Sequence, residues 1–195
     1  PVLLFLGGSQ GAMPLNDFVI NILSLLLKKY EIIHVSGKKN YEEVRSQAQV
    51  VLQENLKGLE DFEKSLSKDF GQYYHLFSFL NESQLKVAYQ AADFVVSRSG
   101  SGGIFEIAAC GKPSILVPLP DSANNHQAKN AYEYFKSKAT FVIEQDNLNP
   151  HFFLEKLDYF FLNPDEMQAM AQKAQEFSKP LAAKAIAREI LEFLN

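Results

Sequence analysis

The chain has 195 residues, enough for one large domain with a substantial core, and its 47% hydrophobic and 22% charged content is that of a soluble globular protein. A net charge of −4 supplies no global positive field for nucleic acid, so any anionic ligand must be held locally by backbone amides and a few side chains. The single cysteine, Cys110, excludes an internal disulfide framework and fits a reducing compartment; no apolar run approaches the ~20 residues of a membrane span, and no signal peptide is visible.

Strand-like and helix-like segments alternate almost throughout. Val2 to Leu6 reads as a fully buried strand, and its place directly after Pro1 reads as the start of a piece cut from a longer protein, with removal of an initiator methionine before proline as the competing reading. Gly7 to Ala12 form a turn, Leu15 to Leu27 carry helical spacing, and Ile32 to Val35 make the next strand. A polar, charged region from Tyr41 to Asp69 is predicted helical without a sharp motif. Tyr73 to Leu80 is the third strand and Ser83 to Ala92 a helix with Ser83 as its cap. Strand Phe94 to Ser97 leads into a glycine-rich loop and the apolar helix that holds Cys110, a position suited to a buried structural thiol. Ser114 to Val117 is the fifth strand, stopped by Pro118 and Pro120; Asn130 to Lys138 is helical, and Phe141 to Ile143 is the sixth strand. From Pro150 onward the chain reads as helical, with breaks at Pro164 and Pro180. Apolar strands without period-2 alternation, separated by helices, predict an α/β fold: a Rossmann-like parallel sheet covered on both faces, with ligands at the carboxyl ends of the strands.

Three loops fall at that edge. In Arg98-Ser99-Gly100-Ser101-Gly102-Gly103-Ile104-Phe105-Glu106, a buried strand opens through glycines into a helix N-terminus, where unpaired amides and the helix dipole favour a phosphate. Glu106 lies about one turn further on, far enough to avoid repelling a phosphate and near enough to accept from a ribose; an ordinary strand-to-helix loop with a solvent-facing glutamate is the competing reading. Gly7-Gly8-Ser9-Gln10-Gly11-Ala12 matches G-x-S-x-G, the nucleophile elbow of α/β-hydrolases, with Asp121 and His151 available as partners. That elbow normally follows several strands, whereas here it follows the first, so a phosphate or sugar contact through the Ser9 hydroxyl is the stronger reading. Neither loop is a dinucleotide fingerprint or a P-loop. The third segment, Pro118 to Ala131, is rich in amides that can read hydroxyl groups, with Gln127 and Asn130 on one helix face; a helix cap with an exposed polar turn is the competing reading. His34, His75, His126 and His151 show no metal-ligand spacing, and the first two read as satisfied structural residues in strands. Phe152-Phe153 and Phe160-Phe161 read as helix packing.

Taken together in order and spacing, Gly7 to Ala12, Ser97-Arg98-Ser99-Gly100, Glu106-Ile107-Ala108-Ala109, Gly111-Lys112-Pro113, His126-Gln127 and Asn130-Ala131 resemble the MurG family of peptidoglycan N-acetylglucosaminyltransferases. The resemblance spans nearly all of residues 1–195 as a single domain and corresponds to the C-terminal, UDP-GlcNAc-binding half of a GT-B enzyme. It implies inverting transfer of GlcNAc from UDP to lipid-linked MurNAc-pentapeptide, converting lipid I to lipid II, with no cofactor, no metal and no nucleic acid. The family's N-terminal half, which carries the acceptor site, the membrane contact and the proposed base, has no counterpart here. No catalytic residue is therefore expected in this chain, and the whole protein would be cytoplasmic, peripheral on the inner membrane.

By position, the resemblance puts Ser9 at the donor's phosphate region and the backbone of Leu80, after Phe79, at the uracil edge. Ser101, Gly102, Gly103, Ile104 and Phe105 would cradle the diphosphate, Glu106 would hold the ribose and Gln127 the GlcNAc hydroxyls. Gly8, Gln10, Arg98, Ser99, Gly100 and Asn130 would support these loops. The chain departs from the family at Ser101-Gly102-Gly103, where alanine is usual first and threonine third, and residues 41–69 are longer than usual. Two rivals stand beside this reading: a stand-alone sugar-nucleotide-binding subunit of a two-chain transferase, and a serine hydrolase using Ser9.

Overall fold

A computed structural model describes residues 1–8, 12–54, 72–120 and 122–193. Six strands form one parallel sheet: β1 (Val2–Leu6), β2 (Glu31–Val35), β3 (Tyr74–Phe77), β4 (Phe94–Ser97), β5 (Ser114–Leu116) and β6 (Thr140–Val142), in the order β3-β2-β1-β4-β5-β6. The predicted doubly wound α/β architecture is thus observed. The strand order reverses between β1 and β4, which leaves a crevice at their carboxyl ends.

Strand pleating explains why the apolar runs do not alternate with polar residues. Leu3 and Phe5 of β1, Phe94 and Val96 of β4, and Ile115 of β5 enter one core, while Leu4, Leu6, Val95 and Leu116 enter the other. The first core is closed by α1 (Met13–Leu26), α2 (Tyr41–Glu54) and α6 (Pro150–Leu162). Phe153 and Phe160 are buried there, with Phe153 edge-on to Phe18 at 5.1 Å between centroids, so these aromatics pack as predicted. The second core is closed by α3 (Glu82–Ala91), α4 (Ser101–Ala109) and α5 (His126–Lys136). Helix α7 (Pro164–Phe177) closes the edge and contributes to both, through Met170 and Ala174. Gly111, just past α4, has φ +58, and a Cβ there would meet the Gln175 side chain of α7 at 2.6 Å, so a glycine sets how closely these helices pack.

Several boundaries differ from the sequence reading. Helix α3 is capped by Asn81, not Ser83: Asn81 accepts from the Gln84 amide, and Gln84 returns the bond to the Asn81 amide. Helix α5 starts at His126 rather than Asn130, because Asn124 and Asn125 adopt left-handed φ of 51° and 55° and turn the chain directly into it. Cys110 is half-buried at the end of α4, less enclosed than expected, and burial raises its thiol pKa. Of the predicted helical region 41–69, residues 41–54 form α2 and 55–69 lie outside the described residues. Helix α8 (Ala182–Phe193) follows Pro180, with Ile186 and Ile190 both exposed.

Candidate functional site

Loops following β1, β3, β4 and β5 leave the sheet at its carboxyl edge, where the strand order reverses between β1 and β4 and such sheets bind ligands. The best-formed wall is the start of α4. Its N-cap is Gly100, without a side-chain hydrogen bond, and the first helical bond runs from Ile104 N–H to the Gly100 carbonyl (3.1 Å). The amides of Ser101, Gly102 and Gly103 therefore have no intrahelical acceptor and carry the positive end of the helix dipole. A Cβ built at Gly100 or Gly102 would meet nothing within 4 Å, so the space over these amides is open to a ligand. Of the other two positions assigned to the cradle, Ile104 buries its side chain in the core and Phe105 stacks on Phe177 at 5.8 Å. Anion-binding capacity thus concentrates at Ser101 to Gly103. Glu106 lies one turn on, exposed, and its carboxylate accepts from the buried Tyr89 hydroxyl (3.3 Å). That burial and the neighbouring carboxylate hold the Tyr89 phenol well above its usual pKa, so it stays a donor.

The second wall is the segment after β5. Ser99 is fully buried and donates to the Gln127 carbonyl (2.8 Å), while the Asn130 amide donates to the Ser99 carbonyl (3.2 Å). The side-chain oxygen of Gln127 accepts from the Leu119 amide (3.1 Å), and the Gln127 amide donates to Ser122 Oγ (3.1 Å). Gln127 is half-buried, so its side-chain nitrogen is the group left to meet a ligand. Beneath both walls lies Arg98, which donates to the carbonyls of Val117 (3.1 Å) and Pro118 (3.2 Å) and to Gln145 Oε1 (2.6 Å).

On the β1 side, Gly7 sits where a Cβ would come within 3.1 Å of the Ala12 amide, and Gly8 has φ +81 with open space around it. Ser9 and Gln10 lie outside the described residues, as does Asp121. His151, the remaining member of the hydrolase trio, is exposed at the start of α6 beside Glu155 (3.8 Å). Below this loop, buried His34 is hydrogen-bonded to the Tyr74 hydroxyl (2.9 Å) and to Asn16 Oδ1 (3.0 Å), whose amide donates to the Ser36 carbonyl (3.0 Å). His75 pairs with Glu31 (2.7 Å), so both strand histidines are structural, as read. Phe79 is exposed with Lys38 Nζ 4.9 Å from its ring centroid, and Leu80 next to it is buried. Among the described residues no group of three His, Cys, Asp or Glu side chains converges as a metal site.

The sequence reading missed Tyr89, Gln145 and Asn16. Asn16 carried a signal, a polar residue inside the apolar run of α1; Gln145 carried none, because its partner comes from a distant loop.

Residues 2–186 match the family model described as the glycosyltransferase family 28 C-terminal domain. The UDP-N-acetylglucosamine--N-acetylmuramyl-(pentapeptide) pyrophosphoryl-undecaprenol N-acetylglucosamine transferase of Halalkalibacterium halodurans is 33% identical over 184 residues, which cover 94% of this chain and 46% of that protein. The crystal structure of Acinetobacter baumannii MurG superposes with a TM-score of 0.73 at 23% identity, over 97% of this chain and 49% of that one. A UDP-GlcNAc 2-epimerase from Neisseria meningitidis, crystallised with UDP-GlcNAc, shares the fold at a TM-score of 0.63 and 13% identity, over 98% of this chain and 44% of that one. The chain spans about half the length of the curated relatives it matches, and no described helix is long and apolar enough to cross a membrane. With its six-stranded parallel sheet and a match over nearly its whole length, the chain belongs to the glycosyltransferase family 28 C-terminal domain family.

Proposed function

We propose that this chain is the donor-binding half of a MurG-type N-acetylglucosaminyltransferase, which transfers GlcNAc from UDP to lipid I with inversion. The observation that carries this reading is the start of α4: three amides without intrahelical acceptors and open space over Gly100 and Gly102, set at the sheet's switch point. There the diphosphate sits on the amides of Ser101 to Gly103, Glu106 accepts from the ribose diol, Gln127 donates to a GlcNAc hydroxyl, and the Leu80 backbone meets the uracil. The acceptor's C4 hydroxyl attacks the anomeric carbon as the bond to the phosphate oxygen breaks. Negative charge then grows on departing UDP, and pre-aligned amides at a helix N-terminus stabilise it without reorganising. The acceptor site, the membrane contact and the base that takes the hydroxyl proton belong to the other half of the enzyme.

Isothermal titration of this chain with UDP-GlcNAc, UDP-GalNAc and UDP tests the reading. UDP and UDP-GlcNAc are expected to bind, UDP-GalNAc more weakly than UDP-GlcNAc; a folded chain that binds none of them overturns it. The same preparation with a soluble lipid I analogue is expected to form no lipid II, because positioning donor against acceptor is worth ~7–11 kcal/mol of barrier. Robust turnover would place the base within these 195 residues.

A further inference from the structure

Arg98 is the first residue after β4, yet its side chain turns into the protein and is only 6% exposed. All three of its acceptors are neutral: the Val117 and Pro118 carbonyls and the Gln145 side chain. Its Nε–H is buried without a partner, and no carboxylate among the described residues pairs with it. Burial lowers its pKa to about 10, which still leaves it protonated at neutral pH.

These hydrogen bonds stitch the ends of β4, β5 and β6 together, but stitching does not require a charge. A neutral amide could bond the same carbonyls without the cost of moving a cation out of water. The charge is therefore the feature that packing leaves unexplained. Its surroundings point one way. The Arg98 amide donates to the Leu6 carbonyl (3.3 Å), and its own carbonyl lies 4.0 Å from where a Gly103 Cβ would be, so its backbone runs directly under the crevice and the first turn of α4. The guanidinium itself is held at the carboxyl ends of β5 and β6, and a buried cation there acts on an anion at this edge of the sheet with less screening than one at the surface.

We propose that Arg98 is a positioning residue that supplies, from beneath the crevice and without touching the ligand, the counter-charge for a nucleoside diphosphate on the α4 amides. At the same time it fixes the β5 loop that faces the sugar. The inference rests on the donor-binding reading above. It assigns this residue two separable effects: a field felt by charged ligands only, and a scaffold for the β5 loop, felt only by ligands that carry the GlcNAc.

Isothermal titration with UDP, and with uridine by competition, separates them across the wild type, Arg98→Gln, Arg98→Lys and Gln145→Glu. The Gln145→Glu change keeps the stitch and places a carboxylate against the guanidinium, cancelling its charge in place. Arg98→Gln and Gln145→Glu are each expected to weaken UDP by ~10-fold or more, with uridine within about twofold, and Arg98→Lys to recover most of the loss. Gln145→Glu should be at least as heat-stable as the wild type. Equal losses of UDP and uridine in Arg98→Gln, or unchanged UDP affinity in Gln145→Glu, overturn the proposal; if Arg98→Gln does not fold, Gln145→Glu decides alone. A wild type that binds neither ligand overturns the donor-binding reading beneath it.

Discussion

Two buried polar side chains flank the switch point, and they solve the same local problem differently. On the β1–β2 side His34 is satisfied at both ring nitrogens by neutral partners, Tyr74 and Asn16, and burial depresses its pKa to about 3, so it carries no charge at neutral pH. On the β4–β5 side Arg98 is charged and bonded only to neutral acceptors, with its buried Nε–H left without a partner. Each ties neighbouring elements together: His34 joins β2 to β3 and α1, and Arg98 joins the ends of β4, β5 and β6. The first does so at no electrostatic cost, the second while keeping a cation out of water. On the donor-binding reading proposed above, the contrast makes the β4 side the one that meets the anion and the His34 network a neutral support. Changes on the His34 side should therefore move stability, and changes around α4 should move ligand affinity.

The largest expected effect is on the neutral side. The unfolded chain protonates His34 below pH ~6.5, whereas the folded chain resists until about pH 3. Between these values the unfolded state binds more protons, so the stability His34 contributes is complete above ~6.5 and is lost as pH falls, by roughly 3 kcal/mol at pH 4.5. Urea unfolding at pH 7.5 and 4.5 should show this loss in the wild type and a correspondingly smaller one in His34→Gln, which keeps every other ionisable group. Identical pH losses in the two proteins would mean that His34 is not held neutral. The UDP affinity of the folded protein should be the same in both.

How far each side could be read from residues alone follows the same physical divide. The strands were legible because each is a short apolar run bounded by turns, and their parallel arrangement followed from burial on both faces. The α4 loop was legible because glycine before a helix is a local signal. The cap at Asn81 was misplaced by two residues: Asn81 and Ser83 are both good caps, and the decision rests on Gln84 lying three positions after Asn81. The start of α5 was misplaced because the apolar period becomes visible only at Ala131 and Tyr134, whereas the left-handed turn at Asn124 and Asn125 begins the helix earlier. Arg98 appeared as a supporting loop residue with no stated task. Its burial depends on carbonyls 19 and 20 residues away and an amide 47 residues away, which no local pattern encodes.

The next effect belongs to the charged side. Glu106 is oriented by the Tyr89 hydroxyl and lies one turn beyond the free amides, the placement a ribose diol requires. Charge-assisted hydrogen bonds from two hydroxyls make Glu106→Ala expected to weaken UDP by about 2 kcal/mol, close to 30-fold, by titration. Glu106→Ala also takes the acceptor from the buried Tyr89 hydroxyl, so the thermal midpoint without ligand should fall modestly, whereas Glu106→Gln keeps an acceptor there and should lose UDP affinity with little change in stability. Equal UDP affinity in variant and wild type would remove Glu106 from the site.

The smallest effect is the most selective. Gln127 spends its side-chain oxygen on the Leu119 amide, which holds the loop and leaves the nitrogen as the one group able to donate to a sugar hydroxyl. A single neutral hydrogen bond is worth about 1 kcal/mol net, so Gln127→Ala should weaken UDP-GlcNAc by roughly fivefold. UDP lacks the GlcNAc and should lose little, since the amides proposed for the diphosphate and Glu106 sit on α4, a different element. The two tasks of Gln127 predict different signatures. Loss confined to UDP-GlcNAc identifies the nitrogen as a sugar contact, whereas equal loss for both ligands means that the Leu119 bond shapes the whole pocket and that Gln127 acts only as a strut. Gln127→Glu separates these further: it keeps an acceptor for Leu119 and removes the donor, so it should match the alanine variant toward UDP-GlcNAc if the nitrogen is what the sugar meets.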